Sequence, residues 1–248
     1  MGGRELQVVV LCLVWLAAPP TVVSAGPPPA APGTVLWYAH PAEKWENALP
    51  VGNGRLGAMV FGRTDEETIQ LNEDTYWSGG PYSTTVPGGY KALPEIRRLL
   101  FDGQLVQAHR LFGRHLMGYP VEQQKYQSIG NLVLTFPGGG APTGYRHELD
   151  LDTAMVATAY ERDGTRYRRE IFSSPVDQVI AVRLTAEPAG RLSFAVQLRG
   201  DRNQAHSNYA TDYFRMDADG PDSLVVRGKS DDYLGVPGRL RYTVRLRD

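Results

Sequence analysis

The sequence predicts an all-β fold, an antiparallel sandwich with a short two-helix insertion, and three observations support this prediction. Short runs rich in β-branched and aromatic residues recur along most of the chain and are separated by turns that contain glycine or proline. Asp163-Gly164 lies between two such runs and favours a type I′ hairpin turn, because both central residues of that turn need positive φ. Residues 90–117 instead show the apolar spacing of helices. Many short strands at hairpin spacing are typical of a sandwich.

The N-terminal residues are predicted to be an export signal. Arg4 supplies a basic start, residues 6–18 are largely apolar, and Val23-Ser24-Ala25 offers a small-residue cleavage pattern. A membrane anchor is the alternative, but the apolar run is too short to cross a hydrocarbon core of roughly 30 Å and is broken by Pro19-Pro20. Residues 1–25 are therefore expected to be a signal peptide, whose removal leaves a secreted or periplasmic protein that does not associate with a membrane.

Residues 26–33 are predicted to be a Pro/Ala-rich linker, and residues 34–248 an N-terminal β-sandwich domain. Because no cap or turn follows the last strand-like run, this domain is expected to be truncated at its C-terminal end. Gly103 divides the helical segment into two helices. The predicted strands cover residues 35–38, 56–61, 67–71, 131–136, 155–160, 165–172, 177–184, 191–198, 223–226 and 239–246.

Charge and cysteine content argue against several classes of function. With 26 basic and 27 acidic residues the formal net charge is −1, and no basic stripe interleaved with aromatic residues is present, so nucleic acid is not an expected partner. Cys12 lies inside the predicted signal, so the processed protein would hold no internal disulfide. The histidines show no convincing metal-ligand spacing, and neither a metal nor another cofactor is expected.

The segment 71–81, together with the glycine-rich segment 49–59, is the predicted sugar-binding region. It brings an amide, two carboxylates and an indole close together among turn-forming glycines. Such groups hydrogen-bond to hydroxyls, while a flat aromatic face covers the C–H surface of a pyranose. The predicted substrate-binding residues are Asn53, Arg55, Asn72, Glu73, Asp74 and Trp77.

These motifs also allow other interpretations. Residues 52–57 match the glycine pattern of dinucleotide-binding proteins, but Ala48-Leu49-Pro50 does not predict the strand required before it, and the β-prone residues 59–62 do not predict the helix required after it. Glu66-Glu67 is interpreted as solvated charge in a turn. For Glu73-Asp74 a ligand-facing role and a loop-stabilising role remain open, because both uses satisfy the same carboxylate lone pairs. No catalytic residue is predicted.

At these motifs the chain resembles the N-terminal domain of glycoside hydrolase family 95, the α-L-fucosidases. Three positions depart from the family pattern: Tyr76 replaces a leucine, Ser128 a proline, and Asn131 an aspartate. The matching segments are 36–38, 41–42, 45–50, 52–59, 70–75, 77–81, 93–97, 126–127, 130–132, 145–146, 149–150, 169–170 and 177–179.

The resemblance implies a β super-sandwich in an exported enzyme that hydrolyses terminal α-L-fucosides of glycans with inversion. In such an enzyme the catalytic groups belong to an (α/α)6 barrel domain that this chain does not contain. The Trp77 segment would then pack against the barrel or reach the rim of its sugar pocket, and the chain alone would be inactive. A free-standing carbohydrate-binding module, with Trp37, Trp45 or Trp77 as a stacking platform, is the alternative.

Overall fold

The computed structural model describes residues 5–11, 33–200 and 215–247. The helices are α1 (Leu93–Phe101) and α2 (Leu105–His115), and short 3-10 turns cover Trp45–Asn47 and Gly89–Ala92. The strands are β1 (Glu5–Leu11), β2 (Val35–Tyr38), β3 (Leu49–Gly52), β4 (Leu56–Val60), β5 (Glu66–Glu73), β6 (Gly130–Thr135), β7 (Thr143–Asp150), β8 (Met155–Arg162), β9 (Thr165–Ser174), β10 (Val179–Glu187), β11 (Ala195–Arg199), β12 (Arg215–Ala218), β13 (Ser223–Lys229) and β14 (Arg241–Arg247).

The strands form two sheets that pack face to face. One sheet has nine strands in the order β12-β13-β14-β1-β10-β9-β8-β7-β2, and the other has five in the order β11-β6-β5-β4-β3. Strand β3 lies against β8 and β9, and β4 lies against β10. One hydrophobic cluster draws buried side chains from both sheets, including Ile69 and Leu132 from the smaller and Ile171 and Val244 from the larger. The predicted all-β sandwich with a short helical insertion is confirmed.

The hairpins follow the local chemistry of the chain. Asp163 and Gly164 have φ values of 50° and 71°, as the type I′ prediction requires, and they join β8 to β9. Gly103 has a φ of 72° and ends the first helix, so the prediction of two helices divided there is confirmed. On α1, Arg98 forms ion pairs with Glu95 and Asp102.

Along strand β5, buried residues alternate strictly with residues that are exposed or half-buried. Glu67, Ile69, Leu71 and Glu73 are buried and face the core, while the residues between them point to the opposite side of the sheet. The interpretation of Glu67 as solvated charge is therefore wrong, because the alternation that buries Ile69 also buries the carboxylate two residues before it. Glu66 is exposed, as expected, and pairs with Arg199 on β11.

Residues 5–11 of the predicted export signal form a strand in this structure, and the rest of that signal lies outside the described residues. Strand β1 lies inside the larger sheet, parallel to both β10 and β14, whereas the other pairings between described strands are antiparallel. Export and cleavage remain predictions. Most of the predicted linker, residues 26–32, and Asp248 lie outside the described residues. Within the described part, no helix has the length and apolar character needed to cross a membrane.

Candidate functional site

The candidate site is built on the Trp77 loop, residues 74–81, which follows β5. Three other segments hold this loop through backbone hydrogen bonds. The Ser78 amide donates to the Lys125 carbonyl at 2.8 Å, and the Gly79 amide donates to the Asp231 carbonyl at 2.7 Å. The Arg239 amide donates to the Gly79 carbonyl at 3.0 Å. Segments distant in sequence therefore fix the shape of the loop.

Tyr76 anchors the loop in the core. Its side chain is 1% exposed, its ring meets that of Tyr242 edge to face at 4.9 Å between centroids, and its hydroxyl donates to the Lys229 carbonyl at 3.1 Å. Burial raises the pKa of the Tyr76 hydroxyl, and the same cause raises the pKa of Tyr242 to about 12. Both phenols therefore stay protonated, and the Tyr76 ring contributes to packing in the core.

Asn53 closes the turn between β3 and β4. Its side-chain oxygen accepts hydrogen bonds from the amides of Arg55 at 3.0 Å and Leu56 at 2.8 Å. Its side-chain nitrogen donates to the Ser174 carbonyl at the end of β9, at 2.8 Å. All three contacts are local or cross-sheet bracing of the kind asparagine provides in turns.

Arg55 and Glu73 join this turn to the Trp77 loop. The Arg55 guanidinium donates to the Gln178 side chain at 2.7 Å and lies 3.6 Å from Glu73 Oε1. Glu73 is 1% exposed, and its other oxygen accepts from the amide and the hydroxyl of Thr75, both at 2.8 Å. The Glu73 carboxylate thus stabilises the loop from inside, which is the loop-stabilising use that the sequence left open.

The other predicted binding residues, Asn72, Asp74 and Trp77, have more exposed side chains. Asn72 is half-buried on β5 opposite Gly57, and Asp74 is exposed. The Trp77 indole nitrogen donates to the Asp74 carbonyl at 3.2 Å, and its ring meets that of Tyr126 edge to face at 5.4 Å. The predicted binding residues are therefore neighbours in space. Asn53, Arg55 and Glu73 make hydrogen bonds or ion pairs within the domain, whereas the side chains of Asn72, Asp74 and Trp77 reach the surface.

An open cleft of about 490 Å³ lies beside the Trp77 ring. It is lined by Trp77 and by the segment of residues 122–126. The Tyr126 hydroxyl donates to the Glu73 carbonyl at 3.0 Å, so the aromatic wall of the cleft is tied to the loop. Burial, with the nearby charges of Glu73 and Asp74, raises the pKa of Tyr126. A cleft with aromatic walls and amide and carboxylate groups suits a neutral polyol such as a sugar.

Opposite charges among the residues that line the cleft neutralise one another. Glu122 accepts a hydrogen bond from the Tyr233 hydroxyl at 2.9 Å and lies 3.6 Å from the Lys125 ammonium. The ammonium also lies 5.4 Å from the centre of the Tyr233 ring. The interaction with Tyr233, aided by Glu122, raises the pKa of Lys125. This arrangement leaves little net charge at the cleft, which favours neutral ligands over anions.

A second polar cluster lies between the sheets, away from the cleft. Glu67 is fully buried and forms an ion pair with Arg169 of β9, while its other oxygen accepts from the amides of Phe61 at 3.1 Å and Gly62 at 2.9 Å. Arg169 also donates to the Arg63 carbonyl at 3.0 Å. Burial raises the pKa of Glu67, and the Arg169 charge lowers it in part. The pair thereby clamps the turn that joins β4 to β5.

His147 on β7 completes this buried cluster. One ring nitrogen lies 2.9 Å from the Thr158 hydroxyl and the other 3.2 Å from the Val60 carbonyl. Since a carbonyl only accepts, the nitrogen facing Val60 carries the proton and the other accepts from Thr158. Burial lowers the pKa of His147 to about 4. The ring is neutral and structural at pH 7.

Sequence reasoning did not identify the cleft segment or the buried ion pair. Tyr126 belongs to a motif quoted for the family resemblance, but nothing local indicates that it lies against Trp77. Arg169 and Glu67 each resemble ordinary surface charges in a strand. Among the described residues, no group of three or more His, Cys, Asp or Glu side chains is placed to hold a metal ion.

Comparisons with known proteins agree with this architecture. The family model described as "Glycosyl hydrolase family 65, N-terminal domain" matches residues 36–247. The chain is 37% identical over 164 residues to "Alpha-L-fucosidase 2" of Arabidopsis thaliana, a match that covers 65% of this chain and 19% of that protein. It is 36% identical over 168 residues to "Probable alpha-fucosidase A" of Aspergillus niger, covering 64% of this chain and 21% of that protein.

The chain spans about a fifth of the length of these curated relatives. The fucosidase resemblance that the sequence motifs indicate is confirmed by these matches. The chain therefore belongs to the family of N-terminal domains that accompany glycosyl hydrolases, and it is of the type found in α-fucosidases.

Proposed function

We propose that this chain is the N-terminal scaffold domain of an exported enzyme that hydrolyses terminal α-L-fucosides of glycans with inversion. The observation that carries the proposal is the pair of matches: an N-terminal domain family over residues 36–247, and α-fucosidases of which the chain spans about a fifth. The remainder of such an enzyme, an (α/α)6 barrel, supplies the catalytic groups. The sandwich supplies a rigid surface on which that barrel rests.

The chemistry of the site supports a scaffold. Inverting hydrolysis needs a general acid and a general base roughly 6.5–9.5 Å apart, with room for a water between them and the sugar. The buried Glu73 carboxylate, at the end of β5 directly before the Trp77 loop, is occupied by Thr75 and Arg55. Glu67 is occupied by Arg169 between the sheets. These carboxylates shape the loop and the sheet packing, and the chemistry falls to another domain.

A fucosidase assay tests the proposal in two parts. The 248-residue chain is expected to release no aryl alcohol from an aryl α-L-fucoside above the uncatalysed rate, and measurable release would show that the domain is itself catalytic. The complete polypeptide that contains this chain is expected to hydrolyse the same compound. Proton NMR of the fresh product should show β-L-fucose first, and α-L-fucose first would contradict inversion.

A free-standing carbohydrate-binding module is a second candidate, and the Trp77 cleft favours it specifically. Titration of the chain with a fucosylated oligosaccharide, followed by calorimetry, separates the two functions. A module should bind the sugar in isolation, and Trp77→Ala should weaken binding at least about tenfold because the stacking face is lost. Phe101→Ala is the matched control, since Phe101 is an aromatic residue of α1 that is 90% exposed and lies outside the cleft. A scaffold should show no saturable binding in any of the three proteins.

A further inference from the structure

Strand β1 lies between β10 and β14 in the larger sheet. Along its whole length β1 pairs with β14, from Glu5 opposite Arg241 to Leu11 opposite Arg247. Its last residues, Val9 to Leu11, also pair with β10, starting at Val179. Both pairings are parallel, and among the described strands β1 is the sole link between β10 and β14. Without it the nine-stranded sheet becomes two separate pieces.

The residue range of β1 falls inside the predicted signal peptide. This inference rests on the export part of the proposed function, in which residues 1–25 are removed. Removal leaves β10 and β14 facing each other across the width of one strand. Because neighbouring strands lie about 4.8 Å apart, the gap is about 9.6 Å wide, too far for direct pairing of the two edges.

The gap would open onto the core. The cluster shared by both sheets includes Ile180 and Val182 from β10 and Val244 and Leu246 from β14. These side chains are at most 6% exposed in the structure. An open gap would leave unpaired backbone amides and carbonyls on both edges beside this apolar surface, and both are unfavourable.

We propose that the gap between β10 and β14, the acceptor slot, binds a parallel strand supplied by another part of the same glycoside hydrolase polypeptide after the signal is removed. Parallel strands need a crossover connection of about a dozen residues or more, so the incoming strand cannot be a hairpin partner of β10 or β14. The relatives extend over about four fifths of their length beyond the matched region, which provides such a segment. The incoming strand should be an extended segment with apolar residues at alternate positions. Buried residues alternate along the neighbouring β14, so every second residue of a strand beside it also faces the core.

The test begins with the full chain, so that the sheet assembles with β1 in place. A specific protease site is inserted in the linker, between Pro29 and Ala30, and the folded protein is then cut. A labelled peptide with the sequence of residues 5–11, carrying two added lysines for solubility, is used to displace the cut segment. We expect saturable binding of this peptide, accompanied by hydrogen-exchange protection of the β10 and β14 amides.

The matched control is the same peptide with Val9→Pro. Val9 pairs with both neighbours, opposite Val179 on β10 and Arg245 on β14, and proline removes its amide donor. We expect at least a tenfold loss of binding. Equal binding of the two peptides, or full protection of β10 and β14 amides after the cut segment has dissociated, would overturn the acceptor slot.

The identity of the natural occupant is tested with the complete, secreted polypeptide. Its own strand should fill the slot, so it should not bind the labelled peptide, and binding as tight as that of the cut chain would overturn this assignment. N-terminal sequencing of the secreted protein must show that residues 1–25 are absent; their retention would overturn the inference while leaving the fucosidase assay unaffected.

Discussion

Two carboxylates face the core from the same strand, Glu67 and Glu73, and each is stabilised differently. Glu67 meets a full guanidinium charge from Arg169, whereas Glu73 is satisfied mainly by the amide and hydroxyl of Thr75. A buried carboxylate needs such partners because an isolated charge in the interior costs several kcal/mol or more. Arg169 also lies 5.6 Å from the centre of the Phe136 ring, which shields the pair from water.

Removing one partner of this ion pair should be strongly destabilising. For Glu67→Gln we expect the free energy of unfolding to fall by about 3–5 kcal/mol, because Arg169 keeps a buried, uncompensated charge. Urea denaturation followed by circular dichroism measures this change. Glu66→Gln is the matched control: its pair with Arg199 is exposed on both sides, so the loss should stay below about 1 kcal/mol. Similar losses in both variants would contradict the assignment.

His147 should make the stability depend on pH in acid. Its folded-state pKa is about 4, below the ordinary 6.5. Between these two pH values the ring is protonated in the unfolded chain and neutral in the folded chain. The contribution of the neutral His147 ring to the free energy of unfolding is complete above about pH 6.5. It is lost progressively as the pH falls toward 4, by on the order of 3 kcal/mol in all.

Urea denaturation between pH 4 and 7 measures this dependence. The His147→Gln variant lacks the titrating ring, so its stability should change less with pH over this interval, while the Glu67 titration is common to both proteins. NMR titration of the His147 ring gives its pKa directly, even where the variant folds poorly. A ring pKa at or above 6.5 would contradict the prediction.

At the scale of elements, the turn between β4 and β5 depends on one glycine. Gly62 has a φ of 75°, and a Cβ there would lie 2.5 Å from the Tyr145 hydroxyl oxygen and 2.7 Å from a His147 ring carbon. The Gly62 amide donates to Glu67, and its carbonyl accepts from Tyr145 at 2.7 Å. The turn therefore has both a backbone conformation and a close approach that need glycine.

Two glycine-to-alanine substitutions separate the effect of a positive φ from the effect of a close contact at the Cβ position. Gly164 in the β8–β9 hairpin has a φ of 71° with no atom within 4 Å of a would-be Cβ, so Gly164→Ala should cost about 1–2 kcal/mol from backbone strain. Gly62→Ala adds overpacking against Tyr145 and His147, so about 3 kcal/mol or more is expected. Thermal or urea denaturation compares the two variants, and equal losses would show that the close contacts relax without cost.

Several elements had no sequence signal strong enough to predict them. Strand β7 buries His147 and Leu149 but is otherwise polar and carries Gly144, so its alternation is not apolar against polar. Strand β3 contains Pro50, which is tolerated because β3 is at the edge of its sheet. Pairing with neighbours, and not intrinsic preference, decides that these segments are strands.

The part of the chain that the structure describes has one large hydrophobic core and one small satellite cluster. The large cluster joins the two sheets, while the helical insertion buries its own group of Ile96, Leu99 and Ala108. Phe101 on this insertion is 90% exposed. A unit with few buried contacts of its own opens at lower free energy than the core strands.

Native-state hydrogen exchange should reveal this difference. Amides of α1 and α2 are expected to exchange through local opening, with free energies below that of global unfolding, whereas amides of β5 and β6 should exchange only by global unfolding. Mass spectrometry of labelled peptides measures both. Equal protection of the helices and of β5 would mean that the insertion is part of the main cooperative unit.

The sequence by itself determined the sandwich, the helical insertion, the Asp163-Gly164 hairpin and the fucosidase resemblance, because periodicity, turn chemistry and motifs are local properties of the chain. Tertiary structure alone decided which carboxylates are buried, that Tyr126 meets Trp77, and that β1 separates β10 from β14. Those outcomes depend on partners up to more than a hundred residues away, such as Arg169 for Glu67, and no local pattern records which strands become neighbours.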